Sequence, residues 1–554
     1  MDKFTSGTMN TDALGLKKQK ISVFTAVFMV FSLVAAGCYG IEEMIPSAGP
    51  GLTLIMLIAL PFVWGLPFGL VASELGSARP QEGGYYKWVQ EAMGEFWGFQ
   101  AGWWRTISIY IDNTLYIVLA GGYLFSMLGT GNPYLEFAFK AAMILVFMYI
   151  NLRGVRDVGI VTNALSIFVI AAFAMVAIVG FVNWGGNPFV PLTAEPITSG
   201  ADWIFYIGAG ISIGMWMYSG YESMSTFAGE LKDPQVIPKA TLLAVPLIMA
   251  TYIFPTMASI SSLNAVGGDF TYENWGIDPS TTVGYATVPS YFLGPAFGVF
   301  FGTVAVIAQC SIYNTYIASG SRGFFALSED GLAPKFFTKV DKKYGVPYVT
   351  VISIAVVNLA LCMFDFSTLV VVDVFLLVSS YIMVYISALI LRKRIAPGDY
   401  KFKIPGGMGF LRLVCIVPIC VAVFSFLING SDYFIGGMIG IVSGPILYFI
   451  WKRRYGGLAK KDPEANPVNK KTGLAIGDMK RFAILFALLA AIGVAGSFFL
   501  PWYEADWSYP GDYDMTLFAT QGALYTGIRA MTFICAALAA VFGFTARAIE
   551  EPTP

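Results

Sequence analysis

Apolar positions along this chain gather into runs of the length, about 20 residues, that an α-helix needs to cross a hydrocarbon layer. The runs lie near 21–47, 51–75, 95–128, 134–151, 158–182, 203–228, 240–263, 291–326, 346–364, 367–391, 410–429, 433–453, 481–500 and 524–546, which predicts fourteen crossings. Two runs are interrupted. In the first, Gly37-Cys38-Tyr39-Gly40-Ile41-Glu42-Glu43 places two glycines and two carboxylates where a charge is costly unless protein or water receives it. In the sixth, a glycine-bearing stretch from Gly208 leads through Trp216, Met217, Ser219 and Gly220 to Glu222. Opened backbone in a membrane segment is tolerated only where it lines a cavity or binds something. Interrupted segments at corresponding places in two halves of a chain point to the binding site of an inverted-repeat transporter.

The polar loops orient these segments. With the N-terminus placed in the cytoplasm, the outward loops near 48–50, 129–133, 183–202, 264–290, 365–366, 430–432 and 501–523 hold no Lys or Arg. The inward ones carry Arg79, Arg153, Arg156, Lys232, Lys239, Arg322, Arg392, Lys393, Arg394, Lys452, Arg453, Arg454 and Arg481, so the positive-inside rule is met at every loop. The predicted organisation is a tail over 1–20, a transporter core over 21–455 and a polar linker over 456–480. Two additional crossings within 481–547 and a tail over 548–554 complete the chain.

Composition adds exclusions. Of 554 residues, 56% are hydrophobic and only 12% charged, against about 25% charged in soluble globular proteins; this is an all-α polytopic membrane protein. A net charge of -1 without a basic stripe gives no sign of a nucleic-acid partner. The absence of histidine removes His-containing zinc sites, Ser-His-Asp triads and imidazole pH sensing, so any proton chemistry falls to carboxylates, Lys or Tyr. The six cysteines lie inside apolar runs and are expected to be small packing residues rather than a disulfide framework. The first run lacks a small-residue cleavage site, so no cleaved signal peptide is expected. Neither a metal nor a cofactor is called for.

The candidate chemistry lies in the intramembrane charges. An isolated carboxylate at Glu222 would cost roughly 2.5 kcal/mol or more, so it pairs, meets water or holds a proton; a helix-packing role and a proton- or substrate-linked role both remain open. Glu42 and Glu43 diverge by about 100° on a helix; Glu42, nearer the break, is expected to face the cavity and Glu43 the outer vestibule. Arg105, Ser108 and Asp112 share a stripe of the third segment but, with Arg105 and Asp112 about 10 Å apart along the axis, those two need a relay or other partners. Glu136 and Lys140 at i, i+4 read as a snorkelling pair, and Asp373 has no assigned role. Trp216 and Tyr39 neighbour the opened backbone, where a ring could cover a bound amine or simply pack. Thr282-Val-Gly-Tyr-Ala286 nearly spells a potassium filter but lacks its last glycine and a pore helix. Gly208-Ala-Gly-Ile-Ser-Ile-Gly214 has the wrong final spacing for a dinucleotide loop, and no phosphate-binding Gly-Lys-Ser/Thr motif suggests ATP as the energy source.

Two stretches resemble the amino acid, polyamine and organocation transporter superfamily: Glu74-Leu-Gly-Ser-Ala-Arg-Pro-Gln-Glu-Gly-Gly-Tyr-Tyr86-Lys-Trp-Val and Gly220-Tyr-Glu-Ser-Met-Ser-Thr-Phe-Ala-Gly-Glu-Leu-Lys-Asp-Pro234. Within it, Gly40-Ile-Glu42, Phe96-Trp-Gly-Phe-Gln-Ala-Gly-Trp103 and Ile111-Asp-Asn-Thr-Leu-Tyr116 are most similar to the polyamine and light-subunit amino acid transporter branch. The resemblance implies a five-plus-five inverted-repeat, LeuT-like core of 12 helices, with two extra C-terminal ones making 14. As it further implies, the core would hold repeats near 21–182 and 203–391 and two further helices over 410–454. A substrate carboxylate would sit on amides of Gly37 to Gly40 and an amine on carbonyls of Met217 to Gly220. Trp216 would act as an aromatic gate and Glu222 as a proton-sensitive carboxylate. Two departures stand out: the segment over 158–182 has no lysine to replace a sodium ion, and Gly-Cys-Tyr-Gly-Ile-Glu replaces the commoner Gly-Ser-Gly or Gly-Thr-Gly, which favours an acidic site for an amine.

These features describe a multi-pass secondary transporter of the cell membrane, not an enzyme. It would move an amino acid or polyamine by proton symport or exchange, with protons and the lipid bilayer as its other partners. The expected binding residues are Gly37, Cys38, Tyr39, Gly40, Glu42, Asp112, Trp216, Met217, Ser219 and Gly220, with Glu222 as proton carrier. An ion channel and a non-transporting membrane sensor are the alternatives. The residues do not choose the exact substrate, the coupling ion or the oligomeric state.

Overall fold

The structure, a computed structural model, describes residues 22–35, 37–80, 83–153, 158–221, 233, 235–276, 283–341, 343–505 and 521–549, with backbone only for 158–165, 505 and 521. Glu222 and most of the Gly220–Pro234 stretch lie outside the described residues, as do the predicted N-terminal tail, residues 550–554 of the C-terminal one and the outer loop over 506–520.

Among the described residues the regular structure is helical apart from two isolated bridges, Trp275 with Val283 and Val468 with Ala475. The helices are α1 (Val23–Val34), α2 (Pro50–Ala78), α3 (Tyr85–Met93), α4 (Glu95–Leu128), α5 (Pro133–Leu152), α6 (Val158–Val182), α7 (Gly200–Met217), α8 (Val236–Val266), α9 (Pro295–Glu329), α10 (Tyr348–Leu361), α11 (Phe366–Arg394), α12 (Gly407–Ile428), α13 (Ser431–Tyr455), α14 (Asp478–Ala505) and α15 (Gln521–Ala548). Ten of these are long and apolar enough to cross a membrane; α1 and α10 are shorter apolar helices, and so is the Ser166–Val182 part of α6.

Local chemistry sets the boundaries. The Asn132 side chain accepts the Tyr134 and Leu135 amides ahead of Pro133, so α5 starts where the lost proline N–H costs nothing. Ser199 and Asp202 cap α7 reciprocally, and Asp365 accepts the Thr368 amide at 2.7 Å to start α11. Helix α4 forms the spine, packing along both α9 and α11, while α14 and α15 pair with each other and lean on α12 and α13.

Buried ion pairs close the Lys/Arg-rich end. Arg392 bonds Glu74, which also accepts the Ile404 amide at 2.7 Å. Lys452 bonds both oxygens of Glu95, at 2.8 and 2.7 Å, with both side chains buried. Asp330 gathers Lys87, the Tyr86 hydroxyl at 2.6 Å and Lys461 at 2.9 Å. Burial alone would push the Asp330 carboxyl up, but Lys87, Tyr86 and Lys461 outweigh it and hold it below its ordinary value. Its contribution is therefore complete above the ordinary carboxylate range and is lost only as pH falls through the lowered value. The resemblance motif over 74–89 supplies Glu74, Tyr86 and Lys87 to these clusters.

The stretch after Tyr455 is docked. Gly457 donates its amide to Gly331 O at 3.0 Å and Arg453 Nε to Thr472 O at 2.9 Å. At the other end of α14, Glu504 accepts the Ser431 amide and the Tyr525 hydroxyl, both at 2.6 Å, and the Tyr503 hydroxyl reaches Ile428 O at 3.1 Å. All six cysteines are free, and Cys420 alone among them is exposed.

Removing one member of the Lys452–Glu95 pair strands a buried charge. Lys452→Met should cost about 3–5 kcal/mol, whereas the double variant Lys452→Met/Glu95→Leu should recover most of that loss. Thermal melts of the detergent-purified protein check both.

Candidate functional site

The two interrupted helices meet at the centre of the bundle. Gly37, Gly40 and Gly220 have φ of 119°, 98° and 105°, in the left-handed region that side-chain-bearing residues avoid. At Gly220 a Cβ would also lie 2.7 Å from Leu33 O, so only glycine lets the end of α1 and the break after α7 touch. The carbonyls released by these breaks are met by tyrosines. The Tyr252 hydroxyl lies 3.4 Å from Val34 O and 2.9 Å from Met217 O, linking the last turns of α1 and α7. The Tyr316 hydroxyl donates to Leu33 O at 2.7 Å, and the Gly220 amide donates to the Tyr381 oxygen at 3.1 Å.

Past the first break the chain resumes as a 3-10 turn over Ile41–Glu43 and a short helix over Met44–Ala48. This geometry turns the Glu42 side chain back onto its own loop. One carboxylate oxygen accepts the Gly40 amide at 3.0 Å and the other the Tyr123 hydroxyl at 2.7 Å. Glu42 is fully buried, and no ion pair to it occurs among the described residues. Rings surround it: Tyr39 packs 5.2 Å from Tyr123 and 4.9 Å from Phe173, and Phe173 lies 5.6 Å from Tyr285. Tyr285 belongs to the stretch that resembles a potassium filter; it is buried, its hydroxyl sits 2.6 Å from Thr256 Oγ1, and the preceding Gly284 backs onto Glu42.

On the other side of Gly40 stands Trp216, whose Nε1 donates to Asp112 Oδ1 at 2.8 Å. Its ring is 5.9 Å from Tyr116 and 5.4 Å from Phe366, and a Cβ on Gly40 would collide with Phe366 at 2.8 Å. Phe366 also lines a cleft of about 370 Å³ with Glu43, Glu136, Lys140 and Asp365. It thus forms a floor between that cleft and the Asp112–Trp216 pair. Glu136 and Lys140 bond each other at 2.6 Å in the cleft wall.

Of the residues singled out in the sequence, Gly40, Glu42, Asp112 and Trp216 come together directly, with Tyr39 beside them. Cys38 turns its thiol away to Thr251 O at 2.7 Å, and Ser219 is engaged by Trp64 Nε1 at 3.1 Å and Met215 O at 2.6 Å. Met217 takes part through its carbonyl. Arg105 donates to Ser108 at 2.8 Å, and Ser108 donates to Asp373 at 2.5 Å, so through Ser108 Arg105 is linked to Asp373, while Asp112 is bonded to Trp216. Tyr123, Tyr252 and Phe366 were missed. Tyr123 left a signal: it lies eleven residues beyond Asp112, about three helical turns on the same face.

A family model described as amino acid permease matches residues 21–450. The chain belongs to the amino acid permease family. A probable polyamine transporter of Arabidopsis thaliana is 29% identical over 448 residues, covering 79% of this chain and 86% of that protein. A serine/threonine exchanger of Bacillus subtilis, SteT, is 24% identical over 466 residues, covering 80% and 100%. The fold is also that of MhsT, whose crystal structure in complex with L-phenylalanine matches with a TM-score of 0.56 at 16% identity over 74% of this chain and 100% of the other. The permease is therefore a multi-pass membrane transporter and not an enzyme, and its broken helices lie inside the matched region.

The Tyr252 hydroxyl reaches carbonyls at both breaks. Tyr252→Phe should destabilise the permease by about 1–3 kcal/mol, the cost of a stranded buried acceptor. Tyr110→Phe, which loses a contact to Ser353 at 2.7 Å, should cost less. Paired thermal melts compare the two.

Proposed function

We propose that this permease is a secondary active transporter that moves an amine-bearing solute, an amino acid or a polyamine, across the cell membrane by alternating access. The observation that carries this reading is Glu42: a fully buried carboxylate with no ion-pair partner among the described residues, set in a wall of aromatic rings where two helices break. A carboxylate in such a place is favoured when a cation joins it, and aromatic faces reward the same cation. The relatives, which include polyamine transporters and an amino acid exchanger, support the substrate class.

In this reading Gly37 to Gly40 and Met217 to Gly220 present backbone groups, Tyr39 and Trp216 cover the solute, and Glu42 and Asp112 meet its positive charge. Phe366 separates the solute from the outer cleft, and one helix bundle rocks against the other around the site. Fourteen crossings with a cytoplasmic N-terminus agree with the distribution of Lys and Arg, and the ion-paired end at Asp330 is then the inner one. Glu222, which lies outside the described residues, is proposed as the proton carrier of a symport or exchange cycle, on its place just beyond the second break.

Proteoliposomes test the reading. Saturable uptake of labelled amine or amino acid, accelerated by unlabelled solute inside, is the expected outcome; flux that does not saturate would indicate a channel, and binding without flux a sensor. Glu222→Gln should alter the pH dependence of uptake more than its half-saturating concentration. An unchanged pH profile would remove the proton role.

A further inference from the structure

We infer that Glu42 occupies, from within the chain, the position at the first break where a substrate carboxylate would be received, so that the site takes amines without an α-carboxylate and rejects the matching amino acids. The inference rests on the reading of the two breaks as the transport site, and names the substrate class of that site. Amides exposed where a membrane helix is interrupted carry partial positive charge and favour an anion. Here two of those amides are already used: Ile41 donates to Cys38 O at 3.2 Å and Gly40 to Glu42 Oε2 at 3.0 Å. The anion that the Gly40 amide favours is thus supplied by a residue two positions ahead. The second oxygen of that carboxylate is held by Tyr123 at 2.7 Å, and the group is fully buried.

An arriving α-carboxylate would meet a like charge in a low-dielectric site, where such repulsion is strongest. An ammonium meets the opposite situation. Two donors leave a carboxylate with unused lone pairs, and the Tyr39 hydroxyl beside it is buried with no hydrogen-bond partner among the described residues, a further oxygen able to accept from an N–H. The rings of Tyr39, Phe173 and Tyr285 supply faces for the same cation. Gly40 is what lets Glu42 reach back: its φ of 98° aims the amide at the side chain two residues on.

Matched pairs that differ only by the α-carboxylate test this: putrescine against ornithine, and agmatine against arginine, each competing for uptake into proteoliposomes of the full-length protein. The wild type should favour the decarboxylated member of each pair by at least about tenfold, the worth of one hydrogen bond to a charged group. Glu42→Ala, which frees the Gly40 amide and removes the charge, should erase that preference by raising ornithine and arginine relative to their amines. Glu42→Gln, which keeps an acceptor for the Gly40 amide and the shape of the side chain, should lose the preference with its melting temperature unchanged. Equal uptake of both members by the wild type, or an unaltered preference in Glu42→Ala or in Glu42→Gln, overturns the inference and leaves the transport reading standing. Uptake of none of the four by folded wild type overturns the transport reading itself.

Discussion

A helix broken inside a membrane leaves amide and carbonyl groups with no water to receive them, and the architecture of this permease follows from how those groups are satisfied. Tyrosine hydroxyls do most of this work. Tyr252 serves the last turns of both broken helices, Tyr316 serves Leu33, and Tyr381 receives the Gly220 amide. These three tyrosines come from α8, α9 and α11, so the helices that flank the breaks are held in register by the same bonds. Glycine makes the approach possible, since a side chain at Gly220 would strike Leu33 O. The centre is thus a polar joint lined by phenols rather than a gap filled with aliphatic packing.

Charge is handled differently at the centre and at the Lys/Arg-rich end. At that end Glu74, Glu95 and Asp330 each have a cation in contact, and a backbone amide also donates to each of the first two. Such pairs lock helix ends together, because separating them strands a buried charge. Glu42 has hydroxyl and amide donors in place of a cation, and aromatic rings in place of polar neighbours. The contrast separates carboxylates that are paired with cations from one that is not, and the proposed role of Glu42 rests on that difference. Asp112 stands between the two cases, bonded to the Trp216 indole on the far side of Gly40.

The opposite mouth shows how a site can be close to a cleft and yet shut off from it. Phe366 lies in the floor of the cleft and against both Gly40 and Trp216. One aromatic ring stands between the cleft and the Gly40–Trp216 contact, whereas the ion-paired end is held by several bonds. The docked stretch after Tyr455 thickens that end, with Lys461 reaching Asp330 and Gly457 reaching Gly331.

The sequence by itself determined the membrane class, the places of the ten long apolar helices and the residues that mark the two breaks, but not the short helix over Tyr85–Met93. These are one-dimensional properties: hydropathy runs, glycines that permit positive φ, and carboxylates whose burial is costly wherever the chain goes. Glu42, Asp112 and Trp216 were legible because a polar or aromatic residue beside an opened helix is conspicuous. Asp373 was visible only as an unassigned charge, since its partner Ser108 is 265 residues away. Tyr123, Tyr252 and Phe366 were lost among many buried aromatics of equal appearance, because nothing local distinguishes a ring that packs from one that donates to a break. The tertiary structure alone decided that Cys38 and Ser219 turn away from Glu42 and that the near-filter stretch folds inward at Tyr285. It also decided that Glu42 bends back to its own loop. The physical reason is the same each time: which donor meets which acceptor depends on the approach of helices far apart in the chain, and on backbone angles at three glycines that composition cannot specify.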